Sequence, residues 1–261
     1  MSTEAACTGR PWMNRPFDLY GRDACWWPAV SQPDDYSEEA RFFLRLLRSE
    51  GSGGGPLRVL ELGSGGGHLV SNLRDQAEFT LVDRSRPMLE QSRRLLPEFE
   101  HVQGDMTTVR LGQEFDAVLV HDACCFLTDL ESLRRTVGTA AVHCRTGGVV
   151  VFAPDYVRET FLEEVEQGSG VATPGTLQYL SWVHDPDPND CTYQVDTTYL
   201  LRQNGSDGEV RAAHERQIEG LFGREQWLRE LGRQGFEARC VAFEHPEEPP
   251  EERIMVGVRR S

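Results

Sequence analysis

The chain has 261 residues, with 27 basic and 42 acidic side chains and a net charge of −15. That length allows one large domain or a domain with a sizeable insertion, and 39% hydrophobic residues suffice for a packed core. The negative charge repels phosphate backbones and anionic lipid on average, so neither nucleic acid nor a membrane is an expected partner.

No run approaches the roughly 20 apolar residues of a membrane span. The opening "MSTEAACTGRPW" lacks the basic-then-apolar order of a secretion signal. Seven cysteines without a CxxC pair read as neither a disulfide framework nor a zinc site, and no metal site is expected. A reducing, cytoplasmic location follows as an expectation. No lysine occurs, which reads as coding bias.

Residues 1–16 show no periodicity and read as a flexible arm. "FDLYGRDACWWPAV" then brings Phe17, Tyr20, Trp26 and Trp27 close in sequence. From Ser37 a helix is expected, with Glu38 and Glu39 at its positive end and Ala40, Phe43, Leu44 and Leu47 on one face. "SEGSGGGP" ends it as a connector.

Strands and helices then alternate. "LRVLEL", "FTLVD", "FEHVQGDM", "FDAVLVHD" and "VVVFAP" read as strands, separated by helices or turns. "SRPMLEQSRRLL" reads as a helix with Ser85 as its cap and Pro87 in the first turn, where it is tolerated. Right-handed crossovers leave a parallel, doubly wound sheet as the expected α/β fold. A short helix is expected over residues 159–166, and residues 176–222 read as antiparallel strands laid over the main domain.

In that block Tyr193, Val195, Thr197 and Tyr199 share one face, "NGSDG" is a turn, and Val210, Ala212, His214, Arg216 and Ile218 share a face of the partner strand. "REQWLRELGRQ" resumes the α/β pattern, and two strands close the chain.

"VLELGSGGGHL", residues 59–69, carries the chemistry. A strand, a glycine loop and a helix make a nucleotide cradle, because glycine lets backbone approach a ligand and a helix start offers free N–H groups. Dinucleotide binding wants G-x-G-x-x-G, and His68 stands where the last glycine is required. Glu61 at the strand end would repel a pyrophosphate and attract an ammonium.

On these residues the chain resembles the class I methyltransferases that depend on S-adenosylmethionine. Their first motif is an acid followed by G-x-G-x-G, here Glu61, Gly63, Ser64, Gly65 and Gly67. Their "D-x-S-x-x-M" stands as Asp83, Arg84, Ser85 and Met88. The resemblance implies that Asp83 accepts from the ribose hydroxyls and that Met88 packs on adenine. It implies likewise that Asp105 of "GDM" takes the adenine amino group, with Met106 beside the ring.

"FDAVLVHD" matches a fourth motif bordering donor and acceptor. His121 and Asp122 end it and are the expected catalytic pair, orienting or deprotonating the acceptor; backbone contact and capping are the alternative roles. Tyr20 and Trp27 are expected in a lid over the cofactor, and Arg22 as a loose match for a residue pairing with its carboxylate.

The inserted block resembles that of the aminosugar N,N-dimethyltransferases and glycine/sarcosine-type N-methyltransferases. The resemblance implies a Rossmann-like seven-stranded sheet with its last strand antiparallel and a small antiparallel β-sheet inserted after the fifth strand. The domains are then the arm (1–16), the cofactor-binding core with its lid (17–175), the inserted block (176–222) and the rest of the core (223–261).

Tyr156, Tyr179, Trp182 and His214 are the candidates for binding a small-molecule methyl acceptor, with half-buried strand packing as the alternative for each. S-adenosylhomocysteine would be the other product. An extra antiparallel sheet is also a surface on which a homodimer can pair. A non-catalytic binding protein and a dinucleotide-dependent oxidoreductase remain the alternative functions.

Overall fold

A computed structural model describes residues 16–50, 56–205, 208–243 and 251–260. The expected arm lies almost wholly outside them. The segment 24–36 forms two short 3-10 turns and leads into helix α1 (Ser37–Glu50). Then come β1 (Arg58–Leu62), α2 (His68–Ser71), β2 (Glu78–Asp83), α3 (Arg86–Leu95), β3 (Glu100–Gln103) and β4 (Phe115–His121). Helix α4 (Leu130–His143) leads to β5 (Cys144–Ala153).

Four strands follow without a helix: β6 (Glu164–Ala172), β7 (Gly175–His184), β8 (Thr192–Gln203) and β9 (Val210–Gly220). Helix α5 (Arg224–Arg233), β10 (Phe236–Phe243) and β11 (Glu251–Arg259) close the fold.

The main sheet has seven strands in the order β10-β11-β5-β4-β1-β2-β3. β11 runs antiparallel to both neighbours, and the other pairings are parallel. This is the architecture expected from the sequence. Alternation along the buried strands feeds two cores: Leu60, Val118 and Val150 pack toward α4 and α5, while Val59, Ala117 and Val149 pack toward α1 and α2. The strand order reverses between β1 and β4, and such a switch point opens a crevice at the carboxyl ends of the strands.

The second sheet, in the order β6-β7-β8-β9, is antiparallel throughout and roofs that crevice. It begins earlier than expected, because the helix foreseen over 159–166 is absent and β6 starts at Glu164. Pairing with β7 takes Glu164, Val165 and Glu166 into the sheet. Gly168 makes room for its neighbour, since a Cβ on it would lie 2.6 Å from the Tyr179 ring.

The N-terminal segment straps onto the underside of this roof. Phe17 N–H donates to the His214 carbonyl at 2.9 Å, and Phe17, Leu19 and Trp26 pack with Leu177, Tyr199 and Leu201. Among the described residues five cysteines are free thiols: Cys124, Cys125, Cys144, Cys191 and Cys240. Cys25 is disulfide-bonded, which departs from the expectation of a chain without disulfides. Among the described residues no helix is long and apolar enough to cross a membrane.

Candidate functional site

A cavity of about 1210 Å³ lies between the carboxyl ends of the main strands, the strap and the roof. Its floor is the loop after β1. Gly63, Gly65 and Gly67 all have positive φ, of 78°, 53° and 80°. A Cβ on Gly63 would sit 2.1 Å from that of Ala123, so both conformation and space demand glycine. Gly63→Ala should cost roughly 2–4 kcal/mol of stability by chemical denaturation. An unchanged midpoint would show that the loop relaxes freely.

Glu61, the penultimate residue of β1, is 3% exposed, and its Oε2 has no hydrogen-bond partner. Burial, with Asp83 and Asp122 nearby, pushes its pKa up to about 8, even though His121 pulls the other way. A carboxyl left this way in a cavity wall is a receptor for a positive group. Beside it the Ser64 hydroxyl is also buried without a partner.

Asp83 ends β2 and braces the loop: Gly65 N–H donates to Oδ2 at 2.8 Å and Ser85 N–H to Oδ1 at 2.7 Å. Burial raises its pKa, and those two hydrogen bonds oppose the rise. Ser85 caps α3 through Met88 N–H and turns Met88 into the cavity. After β3, Asp105 is held by the backbone and hydroxyl of Thr107, both at 2.7 Å, with Met106 next to it. Arg84 lies beside both acids.

Tyr20 and Trp27 close this side from above, their rings 5.0 Å apart, and Trp27 stacks on His68 at 6.1 Å. Arg22 is not among the cavity-lining residues and pairs with Asp18 at 3.4 Å instead.

Across the cavity, His121 ends β4 and is 6% exposed. Its Nε2 lies 2.9 Å from Asp122 and 3.1 Å from Glu39 of α1, within ion-pair range, though neither approach is aligned as a hydrogen bond. Burial alone would lower its pKa; the two carboxylates outweigh burial and raise it well above the ordinary value. Asp122 is a non-glycine residue with positive φ, at 47°. Burial would raise its carboxyl pKa, but His121 and a hydrogen bond with Asp155 bring it down.

The structure gathers His121, Asp122, Tyr156 and Tyr179 with Glu61, Gly63, Ser64 and Gly65 around one cavity, while Gly67 is not among its lining residues and lies against Ser92 and Leu96 of the α3 side. It excludes two residues expected on the acceptor side. Trp182 is 49% exposed and His214 has a 59% exposed side chain; both lie on the outer face of the roof. The registers explain it: Tyr179 pairs with Tyr199 and Thr197 with Glu215, so the odd-numbered positions face in. The inner wall is therefore built from Ser181, Val183, Tyr193, Val195, Glu215 and Glu219.

Sequence reasoning missed Glu39, Asp155, Glu215 and Glu219. Tyr193 donates to Glu219, and Tyr156 to Glu164. Glu215 takes Leu19 N–H at 3.3 Å and the Tyr199 hydroxyl at 3.2 Å, tying strap to roof. Burial pushes its pKa up to about 7.

Residues 59–148 match the family described as "Methyltransferase domain". By this match the stretch is similar to a methyltransferase domain over about a third of the chain. It contains the glycine loop, Asp83, Asp105, His121 and Asp122.

The chain is 33% identical over 130 residues to a dTDP-3-amino-3,4,6-trideoxy-alpha-D-glucopyranose N,N-dimethyltransferase of Streptomyces venezuelae. That match covers 49% of this chain and 54% of the relative, so the chain spans about half the length of the curated relative it matches.

Among solved structures, the sugar N-methyltransferase KedS8 of Streptoalloteichus superposes with a TM-score of 0.75 at 24% identity over 100% of both chains. The S-adenosylmethionine-bound CalS10 of Micromonospora echinaspora, an amino pentose methyltransferase, gives 0.72 at 22% identity over 94% of this chain and 98% of its own. The chain therefore shares, roof included, the fold of these solved structures.

Proposed function

We propose that the chain is an S-adenosylmethionine-dependent methyltransferase acting on an amino group of a small, sugar-like acceptor. The carrying observation is Glu61, a buried carboxyl without a partner at the mouth of a glycine loop, which suits the ammonium of an adenosyl amino acid. When bound, S-adenosylmethionine supplies a methyl group on a sulfonium. Asp83 would hold the ribose hydroxyls, with Met88 and Met106 against the adenine and Asp105 at its amino group.

The strap and roof exclude water and hold the acceptor in line, which supplies most of the rate in a displacement of this kind. An amine arrives as ammonium and must lose a proton, and His121 with Asp122 is the pair within reach of the acceptor space. The curated relative, whose name specifies an amino sugar, supports nitrogen over oxygen as the target. The reaction belongs in the cytoplasm on this reading. Exposed Trp182, Leu200, Val210 and Ile218 on the outer roof support a second copy as its cover, giving a homodimer.

Incubation with S-adenosylmethionine and a panel of amino sugars, read by mass spectrometry, tests the reading. Calorimetric uptake of NAD(H) with none of S-adenosylhomocysteine would sink it. Trp27 supplies a direct check on the strap: S-adenosylhomocysteine should quench tryptophan emission, and Trp27→Phe should abolish most of that quench. Unchanged emission at saturation would remove the strap from the donor site.

A further inference from the structure

On the S-adenosylmethionine reading, Glu61 meets the ammonium of the donor's amino-acid end, and the carboxylate on the same carbon needs donors of its own. Arg22, the residue expected there, is not among the cavity-lining residues and pairs with Asp18. The cations of the wall have carboxylates beside them. Arg84 lies next to Asp83 and Asp105, on the side proposed for ribose and adenine. Arg253 donates to the Pro154 carbonyl at 2.8 Å and lies 3.8 Å from Glu39. His121 stands between Asp122 and Glu39.

The glycine loop resembles an anion cradle in sequence, but four of its amides are turned inward. Gly63 and Ser64 N–H both donate to the Val82 carbonyl, at 2.7 and 3.0 Å. Gly67 N–H donates to the Ser64 carbonyl at 3.0 Å, and Gly65 N–H donates to Asp83. These bonds hold the loop's own shape.

Two side-chain donors at this loop are unmet. The Ser64 hydroxyl is buried without a partner, in a residue 8% exposed. Trp27 Nε1 is likewise buried without a partner. A Cβ on Gly66 would lie 3.1 Å from that nitrogen, which sets the indole over the same loop. Both residues line the cavity. An indole N–H can only donate and a hydroxyl can donate, and leaving either buried and unmade costs free energy. The Trp27 ring stacks on His68, and His68 Nδ1 and the Tyr36 hydroxyl both meet Ser31 Oγ, at 3.0 and 2.9 Å. Burial lowers the His68 pKa, so that ring brings no positive charge at neutral pH.

We propose that the Trp27 indole N–H and the Ser64 hydroxyl bind the carboxylate of the donor, a neutral clamp in place of an arginine. Hydrogen bonds to a carboxylate are charge-assisted, and a water-poor cleft strengthens them. With Glu61 opposite, the site reads the amino-acid end as a zwitterion and discriminates against adenosyl thioethers that lack the carboxylate.

Calorimetry with two probes tests this: S-adenosylhomocysteine, and its decarboxylated analogue S-adenosyl-3-thiopropylamine, which keeps the adenosine, the sulfur and the ammonium. The wild-type protein should bind S-adenosylhomocysteine at least about tenfold more tightly, the worth of hydrogen bonds to a charged group. Ser64→Ala and Trp27→Phe should each weaken S-adenosylhomocysteine about three- to tenfold and leave the decarboxylated probe within about twofold. Equal wild-type affinity for the two probes overturns the inference and leaves the methyltransferase reading standing. A wild-type preference that survives both substitutions also overturns it, because another group then takes the carboxylate. Equal losses for both probes reduce the pair to packing and overturn it as well. Failure of S-adenosylhomocysteine to bind the wild-type protein would instead sink the methyltransferase reading. Either variant suffices should the other fail to fold.

Discussion

Exchange of Glu61 for glutamine should weaken S-adenosylmethionine binding by roughly ten- to a hundredfold, the worth of a charge-assisted hydrogen bond. The same change should raise the melting temperature of the unliganded protein. The two effects share one cause. Folding buries Glu61 at 3% exposure with Oε2 unpaired, which costs free energy that a ligand's ammonium restores.

The pH dependence carries the sign. Folding raises this carboxyl from its ordinary 4.5 to about 8, mainly through burial. The folded state then binds more protons than the unfolded state between those values. Stability therefore falls as pH rises across that window, by up to about 1.4 kcal/mol per pH unit from this group. Glu215, raised to about 7, adds the same sign over part of the range. Thermal melts of both proteins from about pH 5 to about pH 8 should show a shallower decline for Glu61→Gln. A variant with an unchanged slope and unchanged ligand affinity would remove Glu61 from the donor site.

His121→Ala should lower kcat by roughly a hundred- to ten-thousandfold, the range for loss of a positioned base. Asp122 and Glu39 outweigh burial and hold the imidazole pKa well above its ordinary 6.5. A base must be unprotonated to act, so kcat should fall as pH drops through that raised value. Glu39 lies 3.1 Å from Nε2 and acts as a positioning residue through His121. Glu39→Gln removes one of the two carboxylates, so the acid limb should move to lower pH while the KM for S-adenosylmethionine stays put. Near-normal kcat in both His121→Ala and Asp122→Asn across pH would leave positioning as the whole of catalysis.

The donor side was legible in the sequence because its chemistry is local. Glu61, the glycines, Asp83 and Asp105 each follow a buried strand, and a strand end at a switch point faces the crevice whatever the rest of the chain does. The acceptor side was not, for two reasons.

A period of two shows that a strand has two faces without saying which one turns inward. The run from Val210 to Ile218 was correctly grouped as one face, but that face turns outward, because the inner one lines a polar chamber with Glu215 and Glu219. Trp182 and His214 were misplaced by the same parity. Glu39 and Asp155, in turn, reach His121 and Asp122 through tertiary contacts from α1 and from the turn after β5. No spacing in the chain encodes those contacts. β6 escaped notice because its glycines and exposed acids mask the alternation.

The backbone at Asp122 has one more consequence. Its φ of 47°, paired with a ψ of −42°, lies outside the αL region and costs aspartate more strain than it would cost glycine. A laboratory population selected for heat tolerance alone would drift toward glycine at this position. Such descendants would outlast their parent in the incubator and have lost the carboxylate beside His121, so any campaign to harden this protein has to screen methyl transfer, the proposed activity, in the same round.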